Sequence, residues 1–518
     1  VDGSKSPYPD NRWLILGVMS LSLVIVMLNN VTLNVALPNL STSLGADNSE
    51  LQWIMDAYAL VFGGTLLVMG ALGDRFGRKG ALQVGLVIVG VASTWTAFFA
   101  DSSTDVILAR ATMGLGAALV MPSTLSVVLV VFPPNERGKA IGIWAAMAGI
   151  GAPIGLLVGG WAVENYDWEM AFLINVPVIL IALVLGAIIV PRSKDEQQRP
   201  LDGGGAILSV LVLGSLLYGI IEGPSQGWTD IRVVGAFATF FITILLFVYS
   251  QKKAEYPLLP LEFFKDKRFT IGLIAISMAF FVMFSFMFMQ MLHFQLVRGH
   301  SPLSAAIRFL PLPFGLMPAA ANSDRLVAKF GRPNVIATGL CFVAVGLSLF
   351  TLVNIDTSYL QIAATFFLLG LGIGLTMAPS TTAVMDSIPE SKAGVGSATN
   401  DSSREVGGAL GIAIGGSVLN EIYQSSIVIP ASVKEIDTPL CSAADCTTMI
   451  QESFPAAMTV GQQMLAAGNP DGALLIATAR ESFIEGMVGA CVVAAIVALL
   501  AAIIVKLKMP GDDVSEEE

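Results

Sequence analysis

The sequence predicts an all-α membrane protein of fourteen transmembrane helices with both termini in the cytoplasm. Three observations carry that prediction. Of 518 residues, 54% are hydrophobic and 13% charged, with a mean hydropathy of +0.74, whereas soluble domains carry about a quarter charged residues. The apolar residues fall into fourteen long runs, and the basic residues crowd into alternate connections between them.

A helix needs about 20 apolar residues to cross the hydrocarbon of a bilayer. Runs of that length cover residues 13–38, 51–72, 81–99, 104–130, 139–163, 171–190, 205–222, 232–250, 269–291, 303–325, 334–353, 360–383, 397–420 and 483–506. The first is too long for a signal-peptide core and no cleavage site follows it, so it reads as a span.

Cytoplasmic loops retain Lys and Arg. Alternate connections contain Arg75, Arg78 and Lys79; Arg137 and Lys139; Arg192, Lys194 and Arg199; Lys252, Lys253, Lys265, Lys267 and Arg268; Arg325, Lys329 and Arg332; and Lys392. The other set offers Arg232, Arg298, Lys434 and Arg480. Lys5 and Arg12 before the first run, with Lys506 and Lys508 at the end of the last, place both termini on the basic side.

The one long connection, 421–482, then lies outside, either as a disordered loop or as short amphipathic helices capping the outer mouth. It holds Cys441 and Cys446. An oxidising exterior would permit a bridge there, but spacing alone leaves the pairing open. Cys341 and Cys491 lie within apolar runs and read as small packing residues.

The segment after the second run, with Gly70, Gly73, Asp74, Arg75, Gly77, Arg78 and Lys79, recurs after the tenth as Asp324, Arg325, Gly331 and Arg332. An offset of eight helices fits two six-helix bundles in parallel repeat, 13–190 and 269–506, separated by an inserted pair with its linkers, 191–268. Residues 507–518 form an acidic, solvated tail.

Several function classes are excluded. The net charge of -11 comes with no basic stripe that could neutralise phosphates, so nucleic acid is not a partner. No G-x-x-x-x-G-K-[ST] motif is present to supply nucleotide energy. With only His293 and His300, and no metal-ligand spacing, the chain is not expected to be an enzyme or to hold a metal or cofactor. A sensor would be expected to keep a sizeable cytoplasmic domain, and no run of this sequence is expected to form one.

The segment from Gly70 to Lys79 resembles the G-x-L-x-D-R-x-G-R-[KR] loop signature of the major facilitator superfamily. Asn30, Asn34 and Pro38 in span one, Arg110 to Gly116 in span four, Gly149 to Gly160 in span five, Asn175 and Pro177 in span six, and Glu222 to Trp228 are similar to its fourteen-helix drug:proton antiporter branch, which includes quaternary-ammonium exporters. That resemblance implies a multi-pass protein of the bacterial inner membrane, working as a monomer that exports a small lipophilic compound against protons amid membrane lipids. Three positions depart from the branch pattern: Asn29 stands where an aspartate is usual, Met113 where glutamine is, and Leu156 where proline is. The last bears on the direction of antiport.

Ionisable residues inside hydrocarbon cost at least about 2.5 kcal/mol on insertion scales, so each is a functional candidate. Asp56, Arg110 and Asn29 all fall in the outer halves of their spans at about 1.5 Å rise per residue. Asp56 could take the protonatable role that Asn29 cannot fill, with Arg110 modulating it; a static buried pair is the alternative. Asp401 and Glu405, spaced i, i+4, stack on one helical face. Two neighbouring carboxylates in a low dielectric resist double ionisation, so one can hold a proton and exchange it for a cation. In the competing arrangement Asp401 pairs with Arg404 and Glu405 titrates alone. Arg308 reads as a structural partner near the outer side.

Asp74, with Arg75 and Arg78, is suited to hold a neighbouring helix end in one state. Span nine is rich in Phe and Met, Phe284 among them; its stripe of Met283, Met287 and Met291 suits lipophilic cations if it lines a cavity and is unremarkable if it faces lipid, and Gln290 could orient a substrate. Gly407, Gly411 and Gly415 permit close helix approach, expected here between moving bundles. An exporter of a lipid or lysolipid would use the same apolar cavity.

Overall fold

The structure is a computed structural model, and it describes residues 8–33, 40, 43–44, 48–194, 202–355, 357–435 and 443–511. Helices occupy every predicted run: α1 Arg12–Val31, α2 Asn48–Phe76, α3 Arg78–Phe99, α4 Ser103–Val131, α5 Pro134–Asn165, a short α6 Met170–Leu173 leading into α7 Asn175–Ile189, α8 Gly203–Gln226 and α9 Ile231–Lys253. There follow α10 Lys267–Leu292, α11 Pro302–Arg308, α12 Pro311–Phe330, α13 Arg332–Phe350, α14 Tyr359–Asp386, α15 Ala393–Ser426, α16 Ala443–Glu452, α17 Phe454–Ala466 and α18 Asp471–Lys508. Among the described residues there is no strand, and twelve helical segments are long and apolar enough to cross a membrane. The chain is a multi-pass, all-helical membrane protein.

One stretch differs from the sequence expectation, and in another the structure chooses between the two alternatives left open. The tenth run is divided at Phe309 and Leu310, because Pro311 has no N–H to continue α11 and starts α12 instead. Among its described residues the 421–482 connection is mostly helical, the second of the two alternatives: α15 continues to Ser426, α18 begins at Asp471, and α16 and α17 lie between. These cap helices are packed down, with the Tyr423 hydroxyl donating to the Ile450 carbonyl (3.0 Å) and Phe454 stacked on Phe483 at 4.4 Å. Cys446 is buried and disulfide-bonded, while Cys341 and Cys491 are free. Cys441 lies outside the described residues.

Of the helices from α1 to α7, all but α5 pack chiefly on one another, as do α10, α12 to α15 and α18. Across the two groups, α15 lies on α2 and α4, and α5 lies on α12 and α14. The pair α8 and α9 pack together and attach through α8 to α2 and α15. Leu180, Ile181, Val184 and Ile188 on α7, with Phe241, Ile242, Leu245 and Leu246 on α9, are exposed in ridges that only lipid would solvate.

Glycines set the closest approaches, because a missing Cβ lets backbones touch. A Cβ on Gly407 would strike the Ser277 carbonyl, one on Gly411 the Phe281 carbonyl, and one on Gly415 the Ser285 hydroxyl. The predicted glycine stripe therefore packs α15 against α10 within one group, a correction to its expected place between bundles. The seam between the groups uses other positions: Gly70 of α2 against Gly394 of α15, and Gly142 of α5 against the Ala320 carbonyl of α12. The internal repeat is visible in the backbone. Gly77 and Gly331, at matching positions, both have positive φ (115° and 79°) and both open the following helix.

Candidate functional site

The polar stretch of α15 from Ser397 to Glu405 lies where helices of both groups converge. Asp401 and Arg404 are fully enclosed, at 0% and 1% exposure. An Arg404 Nη1 lies 3.6 Å from Asp401 Oδ1, a loose ion pair, while the Asn400 amide donates to the same carboxylate oxygen at 3.2 Å. Arg404 Nη2 donates to Thr381 Oγ1 of α14 (3.3 Å). Its guanidinium stands 4.7 Å from the ring centre of Trp144 on α5 and 5.3 Å from that of Phe280 on α10. The Trp144 ring is fixed in turn, its Nε1 donating to Thr124 Oγ1 of α4 at 3.1 Å.

Glu405 points to another side of α15. It is half-buried, and its Cβ lies 3.8 Å from where a Cβ on Gly63 of α2 would stand. Tyr58, about a turn and a half earlier on α2, is within Coulombic range of its carboxylate. The i, i+4 pair thus reaches two neighbourhoods: Asp401 the aromatic box around Arg404, Glu405 the contact with α2.

Tyr58 connects that contact to Arg110 of α4. Arg110 is 1% exposed and its guanidinium lies 4.3 Å above the Tyr58 ring. Its Nη1 donates to the Asn29 carbonyl (2.7 Å) and its Nε to the Ile54 carbonyl (3.1 Å), so it ties α1 and α2 together through backbone oxygens. The Asn29 side chain donates to Ile25 O (2.9 Å) and accepts from Asn175 Nδ2 (3.4 Å). Asp56 is half-buried on α2. Asn34 lies outside the described residues, and so do the side chains of Asn30 and Leu156.

At the end of the bundle that carries the basic connections, Asp74 binds the start of α15. Its carboxylate accepts from the backbone N–H of Gly394 (2.8 Å) and Val395 (3.1 Å), and from Arg78 Nε (3.0 Å) and Nη2 (2.9 Å). A carboxylate at a helix N-terminus satisfies orphan N–H groups and faces the positive end of the helix dipole. Arg78 also donates to the Glu390 carbonyl, and Arg137 of α5 pairs with the Glu390 carboxylate. Arg75 is half-buried over the Phe76 ring at 5.3 Å. Asp324, the repeat counterpart of Asp74, sits against Gly138 in the first turn of α5.

The methionine and phenylalanine helix, α10, does not simply face lipid. Met283 is buried, Phe284, Met287 and Met291 are half-buried at the margin of the main core, and Phe284 packs onto Gly408 of α15. Gln290 is 0% exposed and engaged with Met487 Sδ and His293 Nδ1. Arg308 donates to the Ser304 carbonyl (2.9 Å) and lies over the Tyr359 ring.

A separate apolar cavity of about 340 Å³ opens between the α8 and α9 pair and the helices α2, α10 and α15. Leu67, Val212, Phe247, Leu273 and Val406 line it, with Thr399 and Ser402 on the opposite side of α15 from the arginine box.

Trp144, Phe280 as a cation partner, Thr381 and Glu390 were not singled out from the sequence. A tryptophan well inside an apolar run was the available signal, since Trp more often marks the bilayer interfaces. Glu390 gave none: one acid beside Lys392 reads as an ordinary loop residue.

Comparison with known proteins adds the family. The model of the Major Facilitator Superfamily matches residues 19–412. A multidrug efflux pump, LfrA, of Mycolicibacterium smegmatis is 32% identical over 503 residues, covering 97% of each chain. The tetracenomycin C resistance and export protein of Streptomyces glaucescens is 30% identical, covering 95% of this chain and 90% of its own. The methyl viologen resistance protein SmvA of Salmonella typhimurium is 30% identical, covering 88% and 92%. Among solved structures, the human organic anion transporter MFSD10 superposes with a TM-score of 0.59 at 13% identity, covering 97% of this chain and 100% of that one. A proton:xylose symporter gives the same TM-score and identity over 96% of each chain, and both show the likeness of fold alone.

Proposed function

Starting from a chain that belongs to the major facilitator superfamily and is a secondary transporter, not an enzyme, we propose that it exports lipophilic, cationic compounds across the bacterial inner membrane in exchange for protons. In this reading the chain crosses the membrane fourteen times with both termini in the cytoplasm, supported by the twelve candidate spans together with α5 and α12 and by the basic residues of alternate connections. The two six-helix bundles, 13–190 and 269–506, rock about the seam of α2 and α5 against α15 and α12. Export follows from the names of relatives, which are efflux or resistance proteins for several drugs.

The observation that carries proton coupling is the placement of Asp401 and Glu405 on one helix, between the two groups and away from the basic end. A carboxylate there trades its charge for a proton far more readily than it gives up all compensation in a low dielectric. Glu405 and Asp401 are the coupling acids and Asp56 is auxiliary, with Arg110 modulating from α4. Asp74, Arg75 and Arg78 gate the cytoplasmic end. Met283, Phe284, Met287 and Met291, with Asn30 and Asn34, contribute to the substrate path.

Ethidium efflux from proteoliposomes under an imposed pH gradient tests this reading. The parent is expected to transport only with the gradient, Glu405→Gln and Asp401→Asn to lose that dependence, and Asp56→Asn to weaken it. Efflux that ignores both the gradient and the substitutions would remove proton coupling through these residues.

The lateral cavity beside α8 and α9 favours a second reading, export of a lipid or lysolipid whose acyl chain occupies that apolar space. Mass spectrometry of lipid retained by purified protein separates the two. Stoichiometric lysolipid, with no ethidium transport, would support the lipid reading.

A further inference from the structure

Arg404 has two neighbours that compete for it. On one side is the Asp401 carboxylate, at 3.6 Å, too far for a close bidentate pair. On the other are the faces of Trp144 (4.7 Å) and Phe280 (5.3 Å). Neither satisfies it. Among the described residues Arg404 Nε and Nη1 have no hydrogen-bond partner. A fully enclosed guanidinium held this loosely is poised between two positions. The Trp144 ring cannot follow it, because its Nε1 is anchored to Thr124.

We propose that the Trp144 and Phe280 faces form a cation subsite whose resident occupant is Arg404, and that a lipophilic monocation takes its place there when Asp401 is ionised. The inference rests on the antiport reading above and gives it a physical exchange step. Ionised Asp401 draws the guanidinium toward itself and leaves the ring faces to the cargo, which they attract through their quadrupoles. When a proton binds an Asp401 carboxylate oxygen, that attraction ends. Arg404 returns to the rings, and two cations cannot share them. With Arg404 always charged, the local site carries one net positive charge in either state: arginine, carboxylate and cargo, or arginine and carboxylic acid. Swapping proton for cargo therefore adds no charge to a low-dielectric site.

Other charged groups act around this site. On α15 itself, Asp401 and Glu405 act on Arg404, and Arg404 acts on Asp401. From α2, Tyr58 faces Glu405. The residues that touch Arg404 from α5, α10 and α14 are Trp144, Phe280 and Thr381, all uncharged. Trp144 comes from one helical group and Phe280 from the other, so the subsite is complete only while α5 stands close to α10 and α15.

The test uses the full chain in lipid nanodiscs with two probes, tetraphenylphosphonium as the cation and N-phenyl-1-naphthylamine as an uncharged lipophile. Trp144→Leu is expected to weaken tetraphenylphosphonium at mildly alkaline pH by about ten-fold, while leaving the uncharged probe within about two-fold. Trp144→Phe, which keeps an aromatic face, should retain most of the affinity and covers the case in which the leucine variant misfolds. In the parent, mild acid should weaken tetraphenylphosphonium by about ten-fold, and Arg404→Gln should abolish most of that pH dependence. Equal losses for both probes in Trp144→Leu, or parent-like pH dependence in Arg404→Gln, would overturn the subsite. A parent that binds no tetraphenylphosphonium at either pH would instead overturn the cation-exporter reading beneath it.

Discussion

The carboxylate of Asp74 accepts the backbone N–H of Gly394 at 2.8 Å, so the last full turn of α2 holds the first turn of α15. The contact joins the two helical groups at the end that carries the basic connections. It depends on two glycines: a Cβ on Gly394 would strike the Gly70 carbonyl and the Asp74 carboxylate itself. Charge complementarity and the absence of a side chain act at one point.

Asp74→Asn keeps the shape but removes the charge that faces the helix start and Arg78. Charge-assisted hydrogen bonds of this kind are worth about 1.5–3 kcal/mol, so transport is expected to fall about ten-fold with little change in yield. Initial rates of substrate uptake into everted vesicles, normalised to protein present, check this.

The pairing of Arg137 with Glu390 should report on movement between the groups. Replacing both by cysteine and bridging them with a short bismaleimide is expected to arrest transport. Full activity after complete cross-linking, judged by a gel shift following a cleavage engineered between the halves, would mean that this end need not open.

Gly411 and Gly235 make a matched pair for measuring the α10 and α15 seam. A side chain at Gly411 meets the Phe281 carbonyl, whereas nothing lies within 4 Å of a Cβ at Gly235 on α9. Overpacking costs about 1–3 kcal/mol, so Gly411→Val should lower the thermal midpoint of the detergent-solubilised protein by several degrees. Gly235→Val should leave it nearly unchanged.

Glu136, in the first turn of α5, accepts from Arg12 Nε at 2.7 Å and Nη2 at 2.9 Å, and these bonds hold its carboxyl below the usual range. A depressed folded value means that the contribution is fully present above the ordinary carboxylate range, about pH 4.3, and is lost as pH falls through the folded value. Arg12→Gln should therefore lower the thermal midpoint at neutral pH, and the difference from the parent should close in acid. A gap that persists unchanged at low pH would assign the effect to packing.

Arg110→Lys tests whether the buried arginine acts as a charge or as a fork. Lysine keeps the charge but cannot reach the Asn29 and Ile54 carbonyls together while stacking on Tyr58. Transport is expected to drop by about ten-fold or more, with Tyr58→Phe, which keeps the ring, close to the parent.

The sequence alone determined the membrane class, the order of the apolar runs and the repeat, because lipid imposes a length and composition on each span that no packing detail can hide. It also isolated Asp401, Arg404, Glu405 and Arg110, since a charged residue in an apolar run is conspicuous wherever it points, and Asp74 through the repeated loop signature. Tertiary structure decided which of them meet. Asp401 and Glu405 share a helical face by spacing, yet one reaches an aromatic box and the other reaches α2, because α15 lies in a groove between several helices. Trp144 could not be read as a partner of Arg404, more than two hundred residues away in the chain, from any local pattern. The glycine stripe at 407, 411 and 415 was plain, but whether it joined moving or fixed partners depended on which helix lay across it. Periodicity reports that a face is buried, and only the packed neighbours say against what.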